Sequence, residues 1–149
     1  MDMAWDLSGG VKPRKGRGAA SNDTARFERV QRVAFDDGWG QVEDDQPPRV
    51  ETRFDIDATR TIIARNASPD IGFDRSINPY RGCEHGCVYC YARPSHAYLG
   101  LSPGLDFETR IFYKPRAAAL LAAELRKKGY VCRPIALGSN TDPYQPAER

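Results

Sequence analysis

No apolar run in this sequence approaches the roughly 18 to 20 residues that a membrane span needs. The start, Met1-Asp2-Met3-Ala4-Trp5-Asp6, has no apolar stretch of the signal-peptide kind behind it, so a cleaved secretory leader is not expected. A dominant charge is missing too: 22 Lys and Arg stand against 20 Asp and Glu, a formal net charge of +2. With a pI near 8.4, that balance is too mild to argue for nucleic acid. The expected compartment is therefore the cytoplasm, with no membrane partner. Thiols stay reduced there, and the 4 Cys read more naturally as metal ligands than as disulfides.

What is present is globular but polar. The 149 residues are 40% hydrophobic and 28% charged, enough for one domain of ordinary size. The hydrophobic residues are unevenly spread. Residues 1–50 are poor in aliphatics and rich in Gly, Pro, Asp and Arg, and are expected to be a flexible, largely disordered N-terminal segment. In it, Lys12, Arg14, Lys15 and Arg17 sit among glycines and read as a solvated basic tail. Phe27, Val30, Val33 and Ala34 recur at helical spacing, predicting a short helix over residues 23–35 capped by Asn22 or Asp23. The acidic, proline-rich Glu43-Asp44-Asp45-Gln46-Pro47-Pro48 then breaks the chain.

From about Phe54 onward the pattern supplies core material. Strands are predicted over residues 59–64 and 76–80, and a helix over 91–98 that admits Pro94 only in its first turn. Residues 99–104 read as a loop. Residues 107–113 alternate as a strand, with Phe107, Thr109, Ile111 and Tyr113 on one side. The clearest helix runs over 115–128, opened by Pro115, stopped by Gly129, and carrying Ala117, Leu120, Leu121 and Leu125 on an apolar face. A strand over 131–137 follows, with Cys132 as a small buried residue in it. Strand, helix and strand with short turns predict a βαβ unit, a parallel sheet and an α/β fold class.

The segment that carries chemistry is Asn78-Pro79-Tyr80-Arg81-Gly82-Cys83-Glu84-His85-Gly86-Cys87-Val88-Tyr89-Cys90-Tyr91-Ala92. Three thiolates spaced by three and then two residues can converge from one loop on one metal cluster. Gly82 and Gly86 let the backbone fold tightly around it. A 4Fe–4S cluster ordinarily takes one cysteine per iron, so three leave one iron open to another ligand. A zinc site completed by His85 or His96, a pair of disulfides, and chance clustering of buried cysteines are the alternatives. His85 and His96 read more naturally as groups beside the site or on the surface than as ligands. Arg81 and Arg93 flank the loop, where they can tune a cluster or meet an anion.

Cys-x-x-x-Cys-x-x-Cys with an aromatic, Tyr89, before its last cysteine resembles the radical S-adenosylmethionine superfamily. The fuller string from Asn78 to Arg93, with Gly138-Ser139-Asn140-Thr141-Asp142-Pro143-Tyr144-Gln145-Pro146-Ala147-Glu148, resembles the subfamily related to spore photoproduct lyase. The likeness covers about residues 70–149. It implies that Cys83, Cys87 and Cys90 ligate a 4Fe–4S cluster whose open iron chelates S-adenosylmethionine. Reductive cleavage then yields methionine and a 5′-deoxyadenosyl radical, which takes a hydrogen atom from the substrate. Tyr89 is implied to lie near the adenine, packing being its plainer role. Ser139, Asn140, Thr141 and Asp142, after a strand, are placed to hydrogen-bond S-adenosylmethionine, or else form a polar turn on Asp142-Pro143.

The resemblance further implies the first βα units of a partial (β/α)6 TIM-like barrel. Residues 51–149 are then the N-terminal part of a truncated radical S-adenosylmethionine domain, and the chain is expected to be a fragment of a longer enzyme. Such a half-built core exposes a strand edge, so weak cluster binding and little turnover are expected of the chain alone. DNA is the substrate implied by analogy, and a flavodoxin or ferredoxin the implied reductant.

Overall fold

The computed structural model describes residues 17–31 and 50–148. Six strands and two α-helices lie among the described residues, joined by two 3₁₀ helices. Strands β1 (Arg53–Ile56), β2 (Ile63–Arg65), β3 (Arg75–Ile77) and β4 (Tyr80–Arg81) come first. A 3₁₀ helix, Arg93–Leu99, then leads to α1 (Leu105–Thr109), β5 (Arg110–Tyr113), α2 (Ala117–Leu125) and β6 (Ala136–Leu137). A short 3₁₀ helix, Pro146–Glu148, comes last among the described residues.

Two three-stranded sheets result. In one, β5 lies between β1 and β4, parallel to β1 with Phe54 opposite Ile111 and antiparallel to β4. In the other, β3 lies between β2 and β6, antiparallel to β2 and parallel to β6 with Ile77 opposite Leu137. The strand after α2 therefore does not pair with the strand before it, and the predicted βαβ unit over residues 107–137 is not formed. Its partner strand β1 escaped the sequence reading because Arg53 and Asp55 alternate with its apolar residues over only four positions.

The core is built on α1 and β5. Phe107 and Ile111 are fully buried, with Leu101, Leu105, Ala92 and Ala97 around them. Phe107 and Thr109, expected in a strand, are helical. Asp106, inside this helix, accepts the amide of Ser102 upstream of it at 3.0 Å, and the Thr109 hydroxyl donates back to the Leu105 carbonyl at 2.7 Å. All five α1 residues are buried, so its apolar side chains carry no helical stripe.

Further expectations are overturned. The strand over residues 131–137 is reduced to Ala136–Leu137, since Pro134 offers no N–H and residues 131–134 are exposed. Cys132 is consequently exposed, not buried. The predicted apolar face of α2 covers nothing fully: no residue of that helix is buried, and Leu125 is 42% exposed. Over residues 23–31 the chain makes a turn, not the start of a helix. Asn22, the expected cap, instead exchanges two hydrogen bonds with Asp106, at 2.8 and 2.7 Å.

Residues 17–25, expected to be flexible, are docked on the cysteine-bearing half of the molecule. Leu105 donates its amide to the Ser21 carbonyl, Ser102 its hydroxyl to the Asp23 carbonyl, and Ala25 is buried. Val33 and Ala34, the basic residues Lys12, Arg14 and Lys15, and the run over residues 43–48 lie outside the described residues. No helix among the described residues is long and apolar enough to cross a membrane.

Candidate metal centre and the adjoining cleft

The cysteine loop leaves β4 through Gly82, whose φ of +83° an L side chain rarely adopts. A Cβ there would meet the Phe107 carbonyl at 2.8 Å and the His96 ring at 2.9 Å. This tight turn aims the Cys83 amide at the Phe107 carbonyl, 2.9 Å away, and buries the side chain against Ala92 and Phe107. Cys90 packs on the same cluster, and its amide closes a turn onto the Cys87 carbonyl at 3.2 Å. Cys87 itself is exposed, and all three thiols are free. One loop therefore offers three unpaired sulfurs graded from buried to exposed.

Arg93 supports this loop from beneath. Its guanidinium donates to the Cys87 carbonyl at 2.9 Å and to the carboxylate of Glu108 at 2.5 Å, lying over the Phe107 ring. Arg81, the other arginine flanking the loop, is paired at 2.8 Å with Asp57, just beyond β1. His96 is fully buried under Gly82, its Nε2 on the Arg110 carbonyl at 2.9 Å. Burial holds its pKa below the ordinary 6.5. His85 is exposed, with Nε2 2.9 Å from the Tyr144 carbonyl. Among the described residues, no three Cys, His, Asp or Glu side chains are gathered closely enough to share a single metal ion. A 4Fe–4S cluster asks for something wider, with a separate thiolate on each of three irons. What this loop offers toward such a group is three free thiols, Cys83, Cys87 and Cys90.

The second motif begins where β6 ends and lies against the first. Gly138, at φ +72°, extends the pairing through its amide to the Ile77 carbonyl. Ser139 and Asn140 then meet Asn78: the Asn140 amide donates to Asn78 Oδ1 at 2.8 Å, and Asn78 Nδ2 to the Ser139 hydroxyl at 3.3 Å. The buried Thr141 donates its hydroxyl to the Tyr80 carbonyl at 2.9 Å. Asp142 is exposed, accepts the Tyr144 amide at 2.8 Å in a tight turn, and lies 3.5 Å from His85. Gln145 is buried, donates to Cys83 Sγ at 3.4 Å, and accepts the Glu84 amide at 3.0 Å. Of the residues expected at the site, Thr141 thus reaches β4, which leads into the cysteine loop, and Ser139 and Asn140 reach Asn78 between β3 and β4. Tyr89 stands 87% exposed and does not line the cleft beside the two motifs.

Beside the two motifs lies a cleft of about 320 Å³ lined by Asn78, Tyr80, Arg81, Ser95, Lys114 and Asn140, among others. Asn78, Lys114 and Asn140 lie just past the carboxyl ends of β3, β5 and β6, where open α/β sheets place their ligands. Lys114 Nζ donates to the Asn78 carbonyl at 2.6 Å and pairs with Asp57 at 3.4 Å. Burial pulls its pKa below the ordinary lysine value, while Asp57 works the other way. Burial alone raises the Asp57 carboxyl, yet Arg81 and Lys114 outweigh it and hold the pKa below 3.8. Burial, then the hydrogen bond and charge of Glu148, push the Tyr80 phenol up to about 12. Asn78, Lys114 and Gln145 escaped the sequence reading as site residues. The available signal was position, since each directly follows a strand or lies inside a quoted motif.

No family model matches the chain, and no solved structure does. It is similar to uncharacterized proteins of Mycobacterium tuberculosis (strains H37Rv and CDC 1551) and Mycobacterium bovis. Each is 51% identical over 76 residues, which is 51% of this chain and 22% of the relative. The aligned part thus spans about a fifth of the length of the curated relatives it matches.

Proposed function

We propose that Cys83, Cys87 and Cys90 hold a 4Fe–4S cluster with one open iron, and that the adjoining cleft receives S-adenosylmethionine. The observation that carries this reading is the meeting of the two motifs, 62 residues apart, at Gln145 and Cys83. When bound, such a cluster supplies the electron that cleaves S-adenosylmethionine to methionine and a 5′-deoxyadenosyl radical. This chain's own residues do the positioning. Asn78, Ser139 and Asn140 present amide and hydroxyl groups to the cleft, and Thr141 fixes the strand behind them. Lys114 supplies a cation at the same face, suited to a carboxylate. Gln145 directs an N–H at the Cys83 sulfur, an interaction that tunes a cluster's potential. Asp142 and Tyr89, both exposed, belong to the same proposed surface.

The parallel pairs β1–β5 and β3–β6 are compatible with the first units of a partial barrel, which forms part of the same proposal. A cytoplasmic, radical-type enzyme acting on DNA with a flavodoxin or ferredoxin donor is its furthest extension, carried by the sequence resemblance alone.

Anaerobic reconstitution with iron and sulfide tests the reading. A brown protein with about four irons, lost in Cys87→Ala and spectroscopically altered by S-adenosylmethionine, supports it. A colourless protein that retains one zinc per chain overturns it.

A further inference from the structure

The carboxylate of Glu108 has no exposed surface, and an isolated charge so placed is costly unless fully hydrogen-bonded. Its partners come from two distant parts of the chain. Arg93 donates to Oε1 at 2.5 Å, the Ala19 amide to Oε1 at 2.8 Å, and the Gly18 amide to Oε2 at 3.0 Å. Arg93 also donates to the Cys87 carbonyl through Nε and a terminal nitrogen, at 3.2 and 2.9 Å. A continuous path thus runs from the N-terminal segment through one buried carboxylate and one guanidinium to the backbone of the middle cysteine. The fit is close: a Cβ on Gly18 would fall 1.8 Å from the Gly86 carbonyl, one residue before Cys87.

Neighbouring contacts hold the segment in register. Arg17 donates to the Glu108 carbonyl at 3.1 Å, to the Val50 carbonyl at 2.9 Å and to the Thr52 hydroxyl at 2.9 Å. The Thr52 hydroxyl in turn donates to Glu84, inside the cysteine loop. Asn22 and Asp106 clasp each other farther along.

We propose that residues 17–25 are a latch that positions the Cys87 turn for its metal cluster, acting through Glu108 and Arg93. The cluster part rests on the proposed function; the coupling between the segment and the turn does not. Cys87 is the exposed thiol of the three, on a turn whose carbonyl is held by Arg93. Releasing the latch removes the Gly18 and Ala19 amides from Glu108 and leaves Arg93 as the partner that still holds it. The grip on the Cys87 carbonyl is so loosened without dismantling the core on Phe107 and Ile111.

The test uses the full chain as wild type, Gly18→Ala and Arg93→Lys, with Gly72→Ala as the control, since a Cβ at Gly72 meets nothing within 4 Å. Gly18→Ala unseats the segment without changing charge. Arg93→Lys keeps the charge but cannot span both partners in one planar fork. Hydrogen exchange on the metal-free chain is expected to quicken roughly tenfold over residues 84–91 in both variants, with residues 117–125 unchanged. Wild-type exchange over 84–91 in both variants overturns the latch, and so does equal quickening over 117–125, which marks general unfolding. Iron retention after reconstitution, challenged with a chelator, is expected to fall several-fold in both variants and not in Gly72→Ala. A wild type that takes up no iron sinks the proposed function while the exchange result still decides the coupling. A wild type that loads, with variants that exchange and load like it, sinks the latch alone.

Discussion

The side-chain amide of Gln145 donates to the buried sulfur of Cys83 across 3.4 Å, while its carbonyl takes the amide of Glu84. The same nitrogen also meets the Asp142 carbonyl at 2.8 Å, so one buried glutamine closes the second motif on the first. Gln145→Leu is of similar size but leaves the Glu84 amide and the Asp142 carbonyl without this partner. Three lost hydrogen bonds at a buried position, the one to sulfur the weakest, predict a loss of about 1–3 kcal/mol, read in chemical denaturation. On the cluster reading, removing an N–H from the sulfur also withdraws stabilisation of the more negative, reduced state. The midpoint potential in Gln145→Leu is expected to fall, and a potential equal to or above wild type in a redox titration would contradict that role.

His96 gives the chain a defined acid sensitivity. Burial first, set against the Arg110 carbonyl and the Asp106 carboxylate, keeps its folded pKa below the ordinary 6.5. The folded state therefore binds this proton less readily than the unfolded chain. Stability is fully present above about pH 6.5 and declines as pH falls below it. His96→Gln retains a donor for the Arg110 carbonyl but cannot titrate. Its denaturation midpoint is expected to be lower than wild type at neutral pH and flatter between about pH 6.5 and 5. A wild-type slope in that interval would assign the sensitivity to another group.

The backbone of the cysteine loop was readable and much of the fold was not. The cysteine loop announced itself because its glycines and thiols are fixed by local backbone geometry, and Gly82 and Gly86 do adopt positive φ. The second motif was legible as a string, and its contacts with Asn78 and Tyr80 follow from where it leaves β6. Sheet partners were not legible. Whether β5 pairs with β1 or β6 depends on contacts between distant residues, and four residues of β1 interrupted by Arg53 and Asp55 carry little periodic signal. Phe107 and Thr109 misled for the opposite reason, because α1 is buried on every side. The docking of residues 17–25 was invisible because it is made by main-chain amides and a buried carboxylate, which composition does not register.

Asp57 and Lys114 form the charged floor between β1 and β5. Lys114 is nearly buried, with Asp57 as its counter-ion at 3.4 Å. Asp57→Asn removes that charge from both Lys114 and Arg81 and is expected to cost about 2–3 kcal/mol at neutral pH. Burial, no longer opposed by Asp57, then carries the Lys114 pKa further down. The depressed Asp57 pKa means that the pair's contribution is present above about pH 4 and lost as pH falls through the folded value. Lys114→Met in the Asp57→Asn background should recover part of the loss by removing a stranded charge. A double-mutant cycle showing strict additivity would deny the coupling.

Gly82 and Gly100 separate two costs that a left-handed glycine can carry. Both have positive φ, +83° and +68°, so alanine at either position pays about 1–2 kcal/mol of backbone strain. A Cβ on Gly100 meets nothing within 4 Å, whereas one on Gly82 meets the Phe107 carbonyl and His96 at under 3.0 Å. Neither neighbour yields cheaply: the carbonyl accepts the Cys83 amide, and the His96 ring is fully buried against Phe107, centroid to centroid 5.3 Å. Gly100→Ala is therefore expected to lose only the strain. Gly82→Ala should lose at least about 1–3 kcal/mol more, as overpacking of a rigid core does, and should disturb Cys83 with it. Denaturant titrations of the two variants measure the difference directly. Equal losses would mean that the turn into Cys83 relaxes freely, and that the close approach of Gly82 to the core is not what sets the position of the first cysteine.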